Sequence, residues 1–265
     1  MRGARSPAGR GGVASASRRR ITAADAKAGT LLPFLVPRSS FLVPRPPSPV
    51  PRPAMPHTRI KFCGLTRAED VRLAVELGVD YVGLVFAPRS PRRLLLGQAR
   101  MLRALVPEEI AVVALVMDNV RGEVEQIVES LQPDLLQFHG AEDDAFAASF
   151  GLPFWKAIAM GGQDEGGAFA ALAAYPGAHG FLFDGHAAGE QGGSGQRFDW
   201  RRMPAATDKP FLLAGGLSPE NVALALRTAR PWGVDVSSGI ESAPGVKDAE
   251  KMRRFVDAVR HAEAS

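Results

Sequence analysis

The residues of this chain that can do chemistry fall at the ends of short apolar runs. Cys63-Gly64 closes RIKFCGL, Arg89-Ser90-Pro91-Arg92 follows YVGLVF, and Asp118-Asn119 ends IAVVALVMD and begins the turn after it. Gln137 and His139 close LLQFHG, Asp184 closes GFLFD, Gly215-Gly216 closes FLLAGG, and Asp235 with Ser237-Ser238-Gly239 ends GVDVSSG. A thiol, a carboxylic acid and an imidazole are groups that move protons near neutral pH. Arginine gives a charge-assisted donor to a carboxylate or phosphate. The turns LAGGLSPENV and VDVSSGIES lead into helices, where small residues and backbone amides suit an anion. Together the set suits proton transfer on a small anionic substrate. Each member also has a plain structural reading: a buried Cys packs as a small hydrophobe, an Asp caps a helix or forms a turn, and a His is a satisfied core group. Their coincidence at one kind of position favours chemistry. A metal site is disfavoured, because Cys63, His139 and Asp184 show no local ligand spacing and one soft thiolate among oxygens suits few ions.

The elements that must position these residues alternate. RIKFCGL is a strand, and TRAEDVRLAVELG a helix with capping-box spacing at Thr66 and Glu69 and a stop at Gly78. The strands YVGLVF, IAVVALVMD, LLQFHG, FWKAIAM, GFLFD, FLLAGG and GVDVSS follow. Helices are expected over Gln98–Leu105, Gly122–Leu131, Asp143–Phe150, Gly166–Tyr175, Pro219–Arg227 and Asp248–Ala262. Apolar strands alternating with helices imply a parallel sheet covered by helices. Eight strands in residues 58–265 favour one closed (β/α)8 TIM barrel over an open doubly wound sheet, which would carry a G-x-G-x-x-G after its first strand. Period-two alternation puts Lys61 with Cys63, Leu135 with Gln137 and His139, and Leu182 with Asp184 on shared faces. Leu135 and Leu182 are apolar, so these faces should point into the barrel and the polar groups above them converge on its C-terminal mouth. There the loops after strands seven and eight are the usual phosphate site of such barrels. The glycine-rich GHAAGEQGGSGQRFDW reads as a lid over the mouth.

The net charge of +4 over 265 residues divides unevenly. Residues 1–57 hold 10 of the 32 basic side chains and, in Asp25, one of the 28 acidic ones, so the remainder is net negative. The same segment holds 10 of the 21 prolines, which supply no amide donor, and it should be a disordered leader. It reads as an organelle-targeting segment, as a basic arm, or as residues preceding a first residue at Met55. Because the basic charge sits on this leader and not on a folded face, no nucleic-acid partner is expected. No apolar run reaches about 18 residues, so no membrane span is expected. The single cysteine excludes an intramolecular disulfide.

KFCGLTRAED, GLVFAPRSPR, LLQFHG, FLFD…GGSGQRFDW, LLAGGLSPENV and GVDVSSGIE resemble, in order, the motifs of the phosphoribosylanthranilate isomerase family of tryptophan biosynthesis. The resemblance runs from about Arg59 to Ala262. It implies an Amadori rearrangement in which N-(5-phosphoribosyl)anthranilate opens its furanose ring and becomes 1-(2-carboxyphenylamino)-1-deoxyribulose 5-phosphate. No electrons leave the substrate, so no redox cofactor or metal is implied. The resemblance assigns Asp184 as the acid that protonates the ring oxygen and Cys63 as the base that takes the C2′ proton. At pH 7 an ordinary Asp is ionised and an ordinary Cys is not, so burial should raise Asp184 and Lys61 should favour the Cys63 thiolate. Gly215, Gly216, Ser237, Ser238 and Gly239 would hold the ribose phosphate, and Arg92 the anthranilate carboxylate, with Arg89 and Arg93 as alternatives. Gln137, His139 and Asp235 would orient the amine and sugar hydroxyls. The histidine-pathway aminoaldose isomerase is the enzymatic rival. It would show two similar halves with an Asp ending strands one and five, where this chain has Cys63 and Ala159-Met160. A non-catalytic anion-binding barrel with a basic tail would have lost the acid, base or glycines that are present. A cytoplasmic monomer or homodimer acting on a small phosphosugar is expected.

Overall fold

The computed structural model describes residues 57–161, 170, 172–187, 198–203 and 208–264. The leader up to residue 56, half of the helix expected over 166–175, and most of the glycine-rich loop read as a lid lie outside the described residues. Eight parallel strands close on themselves in chain order: β1 Arg59–Cys63, β2 Tyr81–Val85, β3 Ala111–Val116, β4 Leu135–Phe138, β5 Phe154–Gly161, β6 Gly180–Ala187, β7 Phe211–Leu213 and β8 Gly233–Val236. β1 pairs with β8, which joins the first unit to the last and leaves no sheet edge. The helices α1 Ala68–Glu76, α2 Leu96–Arg103, α3 Arg121–Leu131, α4 Asp144–Ala148, α5 Val222–Ala229 and α6 Ala249–Glu263 cover the outside.

Alternation along the strands separates two cores. Ile60, Phe62, Val82, Leu84, Val112, Ala114, Leu136 and Phe138 face outward and pack with the helices. Tyr81, Val113, Leu135, Trp155, Leu182 and Leu212 fill the barrel interior, as period two required of Leu135 and Leu182. Above them Cys63, Val85, Ala87, Leu115 and Met117 form a smaller apolar ring under the mouth. The strand register brings Lys61 level with Asp235, Cys63 level with Gly83, and Ala159 level with Asp184.

The helix starts are shifted by how their caps are used. Asp143 and Asp248 do not begin helices but cap them: Asp143 accepts from the Phe146 amide at 2.7 Å, and Asp248 from Glu250 and Lys251 at 3.0 Å. The capping box expected at Thr66 and Glu69 does not form. Arg67 precedes α1, its guanidinium binds Asp70 at 2.6 and 2.8 Å, and the Thr66 hydroxyl donates to the Gly245 carbonyl instead. Gly245 turns a short antiparallel hairpin, β9 Glu241–Ala243 with β10 Val246–Lys247, that follows β8 and was not expected from the sequence. α5 starts three residues later than Pro219, because Asn221 folds back to accept from the Ser218 amide at 2.9 Å and donate to the Gly216 carbonyl at 2.8 Å.

Candidate active site

The C-terminal mouth of the barrel holds a cleft. Cys63, Arg92, His139, Asp184, Gly215, Gly216, Asp235, Ser237, Ser238 and Gly239 all line it, with Val85, Leu115, Met117 and Leu217 as its apolar wall. Ten of the eleven residues given a catalytic or binding role thus meet at one place, although they come from six different strand ends, whereas Asp118 and Asn119 at the third strand's end do not line it. Gln137 is the exception among the eleven. It is fully buried beneath the mouth, with Nε2 3.0 Å from Nε2 of His139, so it supports the imidazole from below. Its Oε1 is buried without a hydrogen-bond partner among the described residues. Of the three neighbouring arginines Arg92 reaches the cleft, whereas Arg93 lines a separate groove between α2 and α3.

Cys63 ends β1 and is buried, as is Asp184 across the mouth on β6. Lys61 lies one pleat below Cys63, is wholly buried, and holds Asp235 of β8 with Nζ 2.8 Å from Oδ1. Gly83 faces both: a Cβ there would stand 3.0 Å from Cys63 Sγ and from Lys61 Nζ. Burial lowers Lys61, but Asp235 and then Cys63 outweigh it and keep the ammonium protonated above its ordinary value. Burial pushes the Cys63 thiol up, and the Lys61 charge pulls it back only in part. The expected help from Lys61 is present, but desolvation is the larger effect on the thiol. Asp235 is likewise raised by burial, against the pull of Lys61.

The turns after β7 and β8 press together on one side of the cleft. Gly215 and Gly216 both have positive φ (82° and 61°), which aims the backbone of this turn in a way side-chain-bearing residues rarely adopt. A Cβ on Gly239 would come 1.8 Å from the Leu217 carbonyl oxygen, so only glycine lets the two turns meet. Ser238–Ile240 is a single 3-10 turn that starts at the cleft. Among the described residues no three His, Cys, Asp or Glu side chains gather as a metal site would require.

A closed parallel barrel with an acid, a thiol, an arginine and two small-residue turns at its C-terminal mouth defines a (β/α)8 enzyme that works on a small anionic molecule. The family model described as N-(5'phosphoribosyl)anthranilate (PRA) isomerase matches residues 60–258, and the chain belongs to that family. It is 54% identical over 208 residues to the N-(5'-phosphoribosyl)anthranilate isomerase of Stenotrophomonas maltophilia strain R551-3, covering 78% of this chain and 95% of that one. Among solved structures it is similar to the phosphoribosyl anthranilate isomerase of Thermotoga maritima, with a TM-score of 0.69 and 32% identity over 77% of this chain and 99% of that one. A further phosphoribosyl anthranilate isomerase, solved in complex with reduced 1-(o-carboxyphenylamino)-1-deoxyribulose 5-phosphate, matches with a TM-score of 0.65 and 29% identity, over 77% of this chain and 99% of that one. The chain is therefore an isomerase of tryptophan biosynthesis that rearranges N-(5-phosphoribosyl)anthranilate to 1-(2-carboxyphenylamino)-1-deoxyribulose 5-phosphate.

Proposed function

We propose that Cys63 and Asp184 are the base and acid of this rearrangement. The observation that carries the reading is their convergence on one cleft that Arg92 and the turns of Gly215-Gly216 and Ser237-Ser238-Gly239 also line. A substrate anchored by its phosphate on the glycine-serine turns and by its carboxylate on Arg92 spans the mouth, with its sugar between thiol and carboxyl. Asp184 gives a proton to the ring oxygen as the C1′–O bond breaks. Cys63, as thiolate, removes the proton from C2′ of the resulting iminium ion, the electron pair neutralises its nitrogen to give the enolamine, and tautomerisation of that enol gives the ketose. One proton is given and one taken, so acid and base suffice. His139, steadied by Gln137, and Asp235 orient the amine and hydroxyls. The enzyme works in the cytoplasm as a monomer or homodimer, and residues 1–57 form a leader outside the catalytic unit of residues 58–265.

Cys63 is the only thiol in the chain, which makes its role directly testable. Alkylation with iodoacetamide should abolish turnover in proportion to the thiol consumed, and the reduced product analogue should protect against it. Full activity in a fully alkylated enzyme would overturn the assignment of the base.

A further inference from the structure

The last residue of DVSSGIE, Glu241, has no part in the acid–base pair, yet it sits at the centre of a buried charge cluster beside the cleft. Its Oε1 accepts from Arg92 Nε at 2.8 Å and from Lys247 Nζ at 2.7 Å, and its Oε2 from Arg92 Nη2 at 2.7 Å. Arg92, Glu241 and Lys247 are each less than a tenth exposed. Lys247 continues to the Ser237 carbonyl at 3.0 Å, and the hairpin carrying both residues is tied down where Arg67 donates to the Lys247 carbonyl at 2.8 Å. A side-on bidentate pair fixes the plane of a guanidinium, because two parallel bonds allow only one orientation. It leaves Nη1 of Arg92 as the edge without a protein partner among the described residues, on a side chain that lines the cleft. The cluster holds two cations and one carboxylate, so an uncompensated positive charge remains for an anion. Gly64 completes the arrangement. At φ +72° a Cβ there would stand 2.4 Å from Arg92 Cδ, so the arginine passes over bare backbone to reach Glu241.

We propose that Glu241, itself fixed by Lys247, is a positioning residue that aims Arg92 at the ring carboxylate of the substrate and so sets selectivity for the carboxylated amine. This rests on the reading of Arg92 as the carboxylate's partner. The test measures binding of two probes to the full chain: the reduced product analogue, and the same compound without its ring carboxylate. Arg92→Met should bind both alike. Glu241→Gln should weaken the carboxylated probe about tenfold, the scale of one bond to a charged group, and change the other less than about threefold. Glu241→Asp keeps the charge that Lys247 needs but draws Arg92 back, and should show the same selective loss even if the Gln variant does not fold. Equal weakening of both probes, or of neither, in the Glu241 variants would overturn the proposal. Unchanged discrimination in Arg92→Met would instead overturn the reading of Arg92.

Discussion

At the scale of single residues, the site is governed by what burial does to charge. Cys63 and Lys61 share a face with one pleat between them, and both are out of water. Desolvation penalises the thiolate, while the Lys61 charge favours it, so the two act in opposite directions on the same atom. The sign for activity follows. A base that must be deprotonated gains activity as pH rises, and a raised thiol places that rise higher on the pH scale. Lys61→Met removes the cation and leaves Asp235, whose charge pushes the thiol further up. The ascending limb of kcat/KM against pH should therefore move to higher pH in Lys61→Met, with the largest relative loss at the acid end. A limb that stays in place would mean that Lys61 only neutralises Asp235. Which residue types gather at the mouth was readable in the chain, because strand ends and period-two faces follow from the apolar pattern alone. How they pair was not. That Gln137 sits below His139, or that Arg92 is gripped by Glu241, depends on side chains more than 100 residues apart in the second case.

At the scale of elements, the strands were legible and the helix starts less so. A strand buried on both faces is a near-continuous apolar run, whatever else surrounds it. A helix start depends on where a polar side chain spends its hydrogen bonds, and Thr66 and Asn221 spend theirs on distant or reversed partners. The hairpin β9–β10 leaves no periodic signal in the sequence because its strands are three and two residues long. The one local signal was Pro244-Gly245, a turn dipeptide. This hairpin carries a pH dependence of its own. Burial pushes Glu241 up, but hydrogen bonds from Arg92 and the charge of Lys247 win and hold it below its ordinary value of 4.5. A carboxyl depressed in the folded state stabilises above that ordinary value and loses its contribution as pH falls through the depressed one. Urea midpoints measured from pH 6 to pH 3 should fall less steeply for Glu241→Gln than for the parent. Parallel curves would show that the carboxylate titrates alike in both states.

At the scale of the whole molecule, the alternating pattern fixes a barrel, and the barrel fixes where function lies. Eight strand ends that are remote in sequence become one rim, so residues as far apart in the chain as Cys63 and Gly239 meet at one cleft. Charge divides the same way, with the basic excess confined to the leader and a net negative remainder. Among the described residues no helix is long and apolar enough to cross a membrane. The match to the Stenotrophomonas maltophilia relative accounts for 95% of that protein with 78% of this chain, so the catalytic unit should need little beyond it. The roles of Cys63 and Asp184 are tested most directly by turnover of freshly made N-(5-phosphoribosyl)anthranilate, followed by loss of anthranilate-type fluorescence. The measurement compares the full chain, residues 55–265, and the full-chain variants Cys63→Ser and Asp184→Asn. Equal activity is expected in the first two and losses of about a hundredfold or more in each variant, the scale of a general acid or base. Folded variants that keep activity within a few-fold of the parent would contradict these roles.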